Sequence, residues 1–94
     1  QDLKKWQIEN KIRAHYNEVE NLLSQVTLQQ KALHNFQALL RGEEIRFKIG
    51  ESSLFLVNAR ETRAWEAAQK LEEVKTKQLI AYQKLAWAAG LLNK

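Results

Sequence analysis

Proline, cysteine and methionine are absent from these 94 residues, and glycine occurs only three times. Without cysteine there are no disulfides and no thiolate metal sites, and the redox compartment stays open between cytoplasm and periplasm. With no proline, and with glycine confined to positions 42, 50 and 90, only the 50–53 region carries strong helix-breaking chemistry. No apolar run is long enough to cross a bilayer as a helix. The chain starts at Gln1 rather than Met, so the expectation is a fragment of a larger protein.

Enzyme constellations are missing as well. His15 and His34 stand apart with no HExxH or Cys/His spacing, so neither a metal nor a cofactor is expected. Isolated glycines form no phosphate-cradling loop. The nearest carboxylate pair, Glu43 and Glu44, occupies adjacent helical positions that point in different directions, which is poor geometry for acid–base chemistry. No enzymatic activity is expected.

What remains is a soluble, folded composition, 45% apolar and 28% charged, sized for one domain. The net charge of +4 is spread evenly: residues 1–49 hold 8 Lys/Arg against 6 Asp/Glu, and residues 51–94 hold 7 against 5. Arg63, Lys70, Lys77 and Lys84 recur every seventh residue as a basic stripe. Glu66 with Lys70 and Glu73 with Lys77 have the favoured i,i+4 orientation, so the stripe reads as an ion-paired flank, and no nucleic-acid partner is expected.

The dominant signal is periodicity. Ile8, Ile12, His15, Val19, Leu22, Val26, Gln29, Leu33, Phe36, Leu40, Glu43 and Phe47 follow one another at alternating spacings of four and three. After the breaker region Val57, Arg60, Ala64, Ala67, Leu71, Val74, Gln78, Ala81, Leu85, Ala88 and Leu92 do the same. A sustained 3.5-residue period marks a helix that wraps a partner in a left-handed supercoil.

Folding the chain back near residue 52 makes the two series partners of each other, because facing residues then have numbers that add to 103 or 104. Phe47 meets Val57, Glu43 meets Arg60, Leu40 meets Ala64, Phe36 meets Ala67 and Leu33 meets Leu71. Further out, Val19 meets Leu85 and Ile12 meets Leu92. Large side chains face alanine in several layers, and the seam's two opposite charges face each other, as void-free packing and charge pairing require. The expected fold is all-α, a long antiparallel two-helix coiled-coil hairpin in one domain. Helix 1 covers about residues 2–49, the tip 50–53 and helix 2 about 53–92, with arms of about 60–70 Å.

At the tip, Gly50 supplies the left-handed conformation that ends a helix, and Ser52 or Ser53 caps the next one. Gly90 is expected to mark where the second helix frays or stops. Asn10, Asn17, Ser24, Lys31, Thr62, Gln69, Thr76 and Gln83, opposite the seam, make one face polar. Tyr16, Leu23, Leu28, Leu39, Trp65, Leu79, Ile80, Tyr82 and Trp87 lie on the flanks. Apolar flanks of this kind point to further helix packing, and the isolated fragment is expected to self-associate.

The stretch FKIGESSLFLVNARE, followed by an alanine-rich helix ending in AYQKLAWAAGLL, resembles the TolC-like outer-membrane efflux proteins. Phe47, Gly50, Ser53 and Ala59 stand where that family has an aromatic residue, a glycine, a serine or threonine, and a small residue at the turn of a periplasmic helical hairpin. The similarity covers roughly residues 11 to 93 and is specific near the tip. It implies the C-terminal hairpin of a subunit whose homotrimer forms a helical tunnel in the periplasm below an outer-membrane β-barrel. The tunnel would receive substrates from an inner-membrane transporter through a periplasmic adaptor.

The same resemblance implies that Phe47, Lys48, Ile49, Gly50, Glu51, Ser52, Ser53 and Leu54 dock the adaptor. Phe55 and Asn58 are then candidates for the constriction of the duct, in a segment that lacks the acidic residues of the best-known member. An alternative reading buries Phe55 against the neighbouring hairpin. The rival to a transport role is a structural coiled-coil scaffold or spacer mediating protein–protein interaction, which accounts equally for the heptads and the hairpin.

Overall fold

The computed structural model describes the backbone of residues 2–92 and the side chains of residues 3–90. The fold is all-α: α1 spans Asp2–Lys48, α2 spans Leu54–Leu92, and a short turn folds the chain into an antiparallel helical hairpin. The helices are 47 and 39 residues long, and most of their stability comes from burying one face rather than from local propensity.

Two compact units make up the chain: Val26–Glu73, which contains the turn, and Gln1–Gln25 with Val74–Lys94. In the turn-containing unit the buried apolar residues are Val26 on α1 and Val57, Ala64, Ala67 and Leu71 on α2. Leu33, Phe36 and Leu40 on α1 are half-buried. Size accounts for part of the asymmetry. Ala64 and Ala67 lie wholly beneath the partner helix, whereas Leu33, Phe36 and Leu40 reach past the contact and leave an edge in solvent; Leu71 is buried despite its size.

The other unit is built the same way. Leu22, Val74, Ala81 and Ala88 are buried, Ala81 and Ala88 at 1% and 2% exposure, and Ile8, Ile12, His15, Val19, Gln78 and Leu85 are half-buried. The side chain of Leu92 lies outside the described residues. Burial therefore repeats every 3.5 residues along both helices, except that Phe47, expected to face Val57 in the seam, is 44% exposed where α1 ends at the turn. Among the described helical residues, those outside that series that escape full exposure are Ala32, Gly42, Ala68 and Ala89. All four are small, which lets them shelter at the edge of the interface.

Gly90 does not stop the second helix, since α2 continues through it to Leu92. Among the described residues only Gly50 has positive φ, so Gly90 sits in ordinary helical backbone held by its neighbours' hydrogen bonds. On the outer face Lys70 pairs with Glu73 at 3.9 Å, in place of the expected partner Glu66. His15 Nδ1 lies 3.9 Å from Glu18 Oε2, and His34 is exposed.

Candidate functional site: the hairpin tip

Two interlocking backbone motifs build the turn. The last α1-type bond runs from Ile49 N–H to Ile45 C=O at 3.2 Å. The Gly50 N–H then donates to Phe47 C=O (3.1 Å), and Gly50's φ of +82° turns the next amide so that the Glu51 N–H reaches Arg46 C=O (2.8 Å). This 6→1 and 5→2 pair is a Schellman motif, and it satisfies carbonyls that the end of α1 would leave open. Three residues on, Ser53 Oγ accepts from Leu56 N–H at 3.2 Å, while Ser53 C=O accepts from Val57 N–H at 3.1 Å. Ser53 is thus the N-cap of α2.

Ser52 does something else. Its hydroxyl donates to Glu43 Oε2 at 2.5 Å, reaching back nine residues onto α1. Glu43 Oε1 accepts from Arg60 Nε at 3.3 Å, so one carboxylate joins α1, the turn and α2. Glu43 is 3% exposed, the only buried charged residue among those described. Its carboxyl is held below its ordinary pKa. The Ser52 hydrogen bond is the largest cause, opposed by desolvation and reinforced by the Arg60 hydrogen bond and the positive charges of Arg46 and Arg60. No buried side-chain nitrogen or oxygen among the described residues lacks a partner.

The outer surface of this built turn is apolar. Ile45, Phe47, Ile49, Leu54, Phe55 and Leu56 are all exposed, Phe55 at 79%. Lys48, Gly50, Glu51 and Ser53 are exposed among them, and Ser52 is half-buried. Phe47 and Lys48 close α1, Leu54 opens α2, and Phe55 and Asn58 follow one turn apart on the exposed side of α2. Asn58 C=O accepts from the Thr62 hydroxyl at 3.0 Å. All eight tip positions and both constriction candidates therefore fall within one short segment around the turn.

Ile45 and Leu56 also belong to the apolar surface, although the family pattern does not mark them. Both lie off the heptad seam, the signal that could have placed them there. Glu43 belongs to the tip as well, through Ser52, and Arg60 through Glu43.

Elsewhere, Lys77 and Lys84 of the basic stripe line a shallow hollow with Glu18, Asn21, Leu22 and Ile80. No group of three or more potential metal ligands occurs among the described residues. No described helix is long and apolar enough to cross a membrane. No protein-family description matches this chain, and comparison with curated proteins and with solved structures returns no match either.

Proposed function

We propose that this chain is a periplasmic tunnel-forming hairpin of an outer-membrane efflux channel, whose tip docks a periplasmic adaptor and, through it, an inner-membrane transporter. The observation that carries the reading is the tip itself. A spacer needs only a polar turn, whereas here a closely hydrogen-bonded turn displays six large apolar side chains to solvent. Apolar surface held on a defined backbone is what a docking end requires, because little ordering entropy remains to be lost on binding.

In this reading three subunits supply the hairpins of one duct, and the flanking Trp65, Leu79, Tyr82 and Trp87 side chains, exposed in the single chain, become hairpin-to-hairpin contacts. Phe55 and Asn58 line the constriction, giving a gate of apolar and amide groups with no acid between Leu54 and Ala59.

The test uses the full-length parent channel in cells. Replacing Gly50 by tryptophan, or Phe55 by aspartate, is expected to reduce efflux while the trimer still assembles. Unchanged efflux with both variants removes the docking role and leaves a coiled-coil scaffold as the better answer.

A further inference from the structure

Glu43 occupies a seam position where leucine would pack at lower desolvation cost. What a carboxylate does there, and leucine does not, is accept hydrogen bonds at two oxygens from two different elements. The hydroxyl on Oε2 belongs to Ser52, which lies between the Schellman closure at Glu51 and the cap at Ser53. The Nε–H on Oε1 belongs to Arg60, in the second turn of α2. One side chain of α1 thereby fastens the middle of the turn and the start of the return helix together.

We infer that Glu43 is an acid-released latch: as a carboxylate it holds the turn in the conformation that presents the apolar tip, and protonation lets the turn open. For its effect on docking this inference rests on the efflux reading, but the latch is a property of the turn alone.

The charged groups acting on Glu43 are Arg46, one turn further along α1, and Arg60 on α2; Ser52 from the turn is neutral. Both cations favour the ionised form. When a solvent proton adds to the carboxylate, Arg60 loses its ionic partner and one of the two acceptor oxygens becomes an O–H donor.

The direction follows from linkage. The pKa of Glu43 is lower with the turn closed than with it open, so protonation favours the open form. The closed turn has its full advantage above the ordinary glutamate range and loses it as pH falls through the depressed value.

Amide hydrogen exchange in this chain, corrected for the intrinsic pH dependence of exchange, reads the latch directly. As pH falls from 7 to below the depressed Glu43 pKa, protection at Glu51 and Leu56 is expected to fall on the order of tenfold relative to mid-helix amides, about what one lost hydrogen-bonded contact corresponds to. Glu43→Gln is expected to show the lower protection already at pH 7 and to change little on acidification. Ser52→Ala keeps the Arg60 pair but removes the hydroxyl that ties the turn to Glu43, so it too is expected to show the lower tip protection already at pH 7.

Tip protection that falls only in step with the mid-helix amides overturns the latch, as does Glu43→Gln matching the wild type at pH 7. Should Glu43→Gln fail to fold, wild-type tip protection at pH 7 in Ser52→Ala overturns it instead. Adaptor binding by the full-length channel is measured separately across the same pH range. A tip that opens in acid but binds no adaptor at any pH sinks the docking reading and leaves the latch standing.

Discussion

Ser52 Oγ donates to Glu43 Oε2 at 2.5 Å, while the adjacent Ser53 turns the other way and accepts from Leu56 N–H at 3.2 Å. Two neighbouring residues of the same type therefore serve opposite helices. Ser52 ties the turn back to α1, and Ser53 starts α2. The division follows from direction along the chain, since only the residue immediately before Leu54 is placed to reach the first free N–H groups of α2.

Ser53→Ala is expected to destabilise the hairpin by about 1 kcal/mol, the usual consequence of removing an N-cap hydroxyl. Ser52→Ala is expected to act through Glu43 instead, so its effect on thermal unfolding shrinks in a Glu43→Gln background while that of Ser53→Ala does not. A double-mutant cycle monitored by helical circular dichroism separates the two; equal coupling of both serines to Glu43 contradicts the assignment.

The three glycines give opposite expectations. Each has open space where a Cβ would go, so only backbone conformation distinguishes them. At Gly50, φ +82° is strained for an L-residue, and Gly50→Ala is expected to cost about 1–2 kcal/mol, with asparagine better tolerated. Gly42 and Gly90 are helical, and alanine at either is expected to stabilise by about 0.5–1 kcal/mol. Melting temperatures that move the same way at positions 42 and 50 count against this account.

Much of the hairpin is legible in the sequence because its determinants are periodic and local. The 3.5-residue spacing marks the residues that become buried, and the lone breaker region around Gly50 fixes where the chain reverses. Gly90 misleads because it has the residue type of a helix stop without the positive φ that makes one. The Glu43–Ser52 bond is the part the sequence does not disclose. Heptad register brings Glu43 opposite Arg60, but a serine's choice between capping and reaching back depends on the actual path of the turn.

Ala81 is 1% exposed, so the interface leaves no room for a larger side chain there. Ala81→Leu is expected to destabilise by about 1–3 kcal/mol through overpacking. Ala86→Leu, at an exposed position of the same helix, is expected to stay within about 0.5 kcal/mol of the wild type. Chemical denaturation of the two variants checks the contrast, and comparable losses place the packing seam elsewhere.

Phe55, at 79% exposure, contributes little to folding whatever it contributes to binding. Phe55→Asp is expected to leave the melting temperature of this chain nearly unchanged, within about 0.5 kcal/mol. In the full-length channel the same change is expected to lower efflux. Lower efflux accompanied by a large loss of hairpin stability would assign Phe55 to the fold and not to the docking surface.

The Glu43–Arg60 pair separates stability from tip geometry. Arg60→Ala leaves a buried carboxylate without its ionic partner, so the hairpin is expected to melt lower and to lose stability on acidification at a higher pH than the wild type, because one of the influences depressing the Glu43 pKa is gone. Replacing both charges, as Glu43→Leu with Arg60→Met, removes the desolvation cost and keeps the long side chain that packs along α2. That double variant is expected to melt at or above the wild type, since an apolar group replaces the buried charge at position 43 and the half-exposed position 60 keeps a long apolar stem. Its Ser52 hydroxyl has no carboxylate to reach, so protection of the Glu51 and Leu56 amides is expected to drop even as overall stability holds. If the double variant retains wild-type protection at the tip, the Schellman closure and the Ser53 cap suffice to define the turn, and the carboxylate is a passive member of the seam.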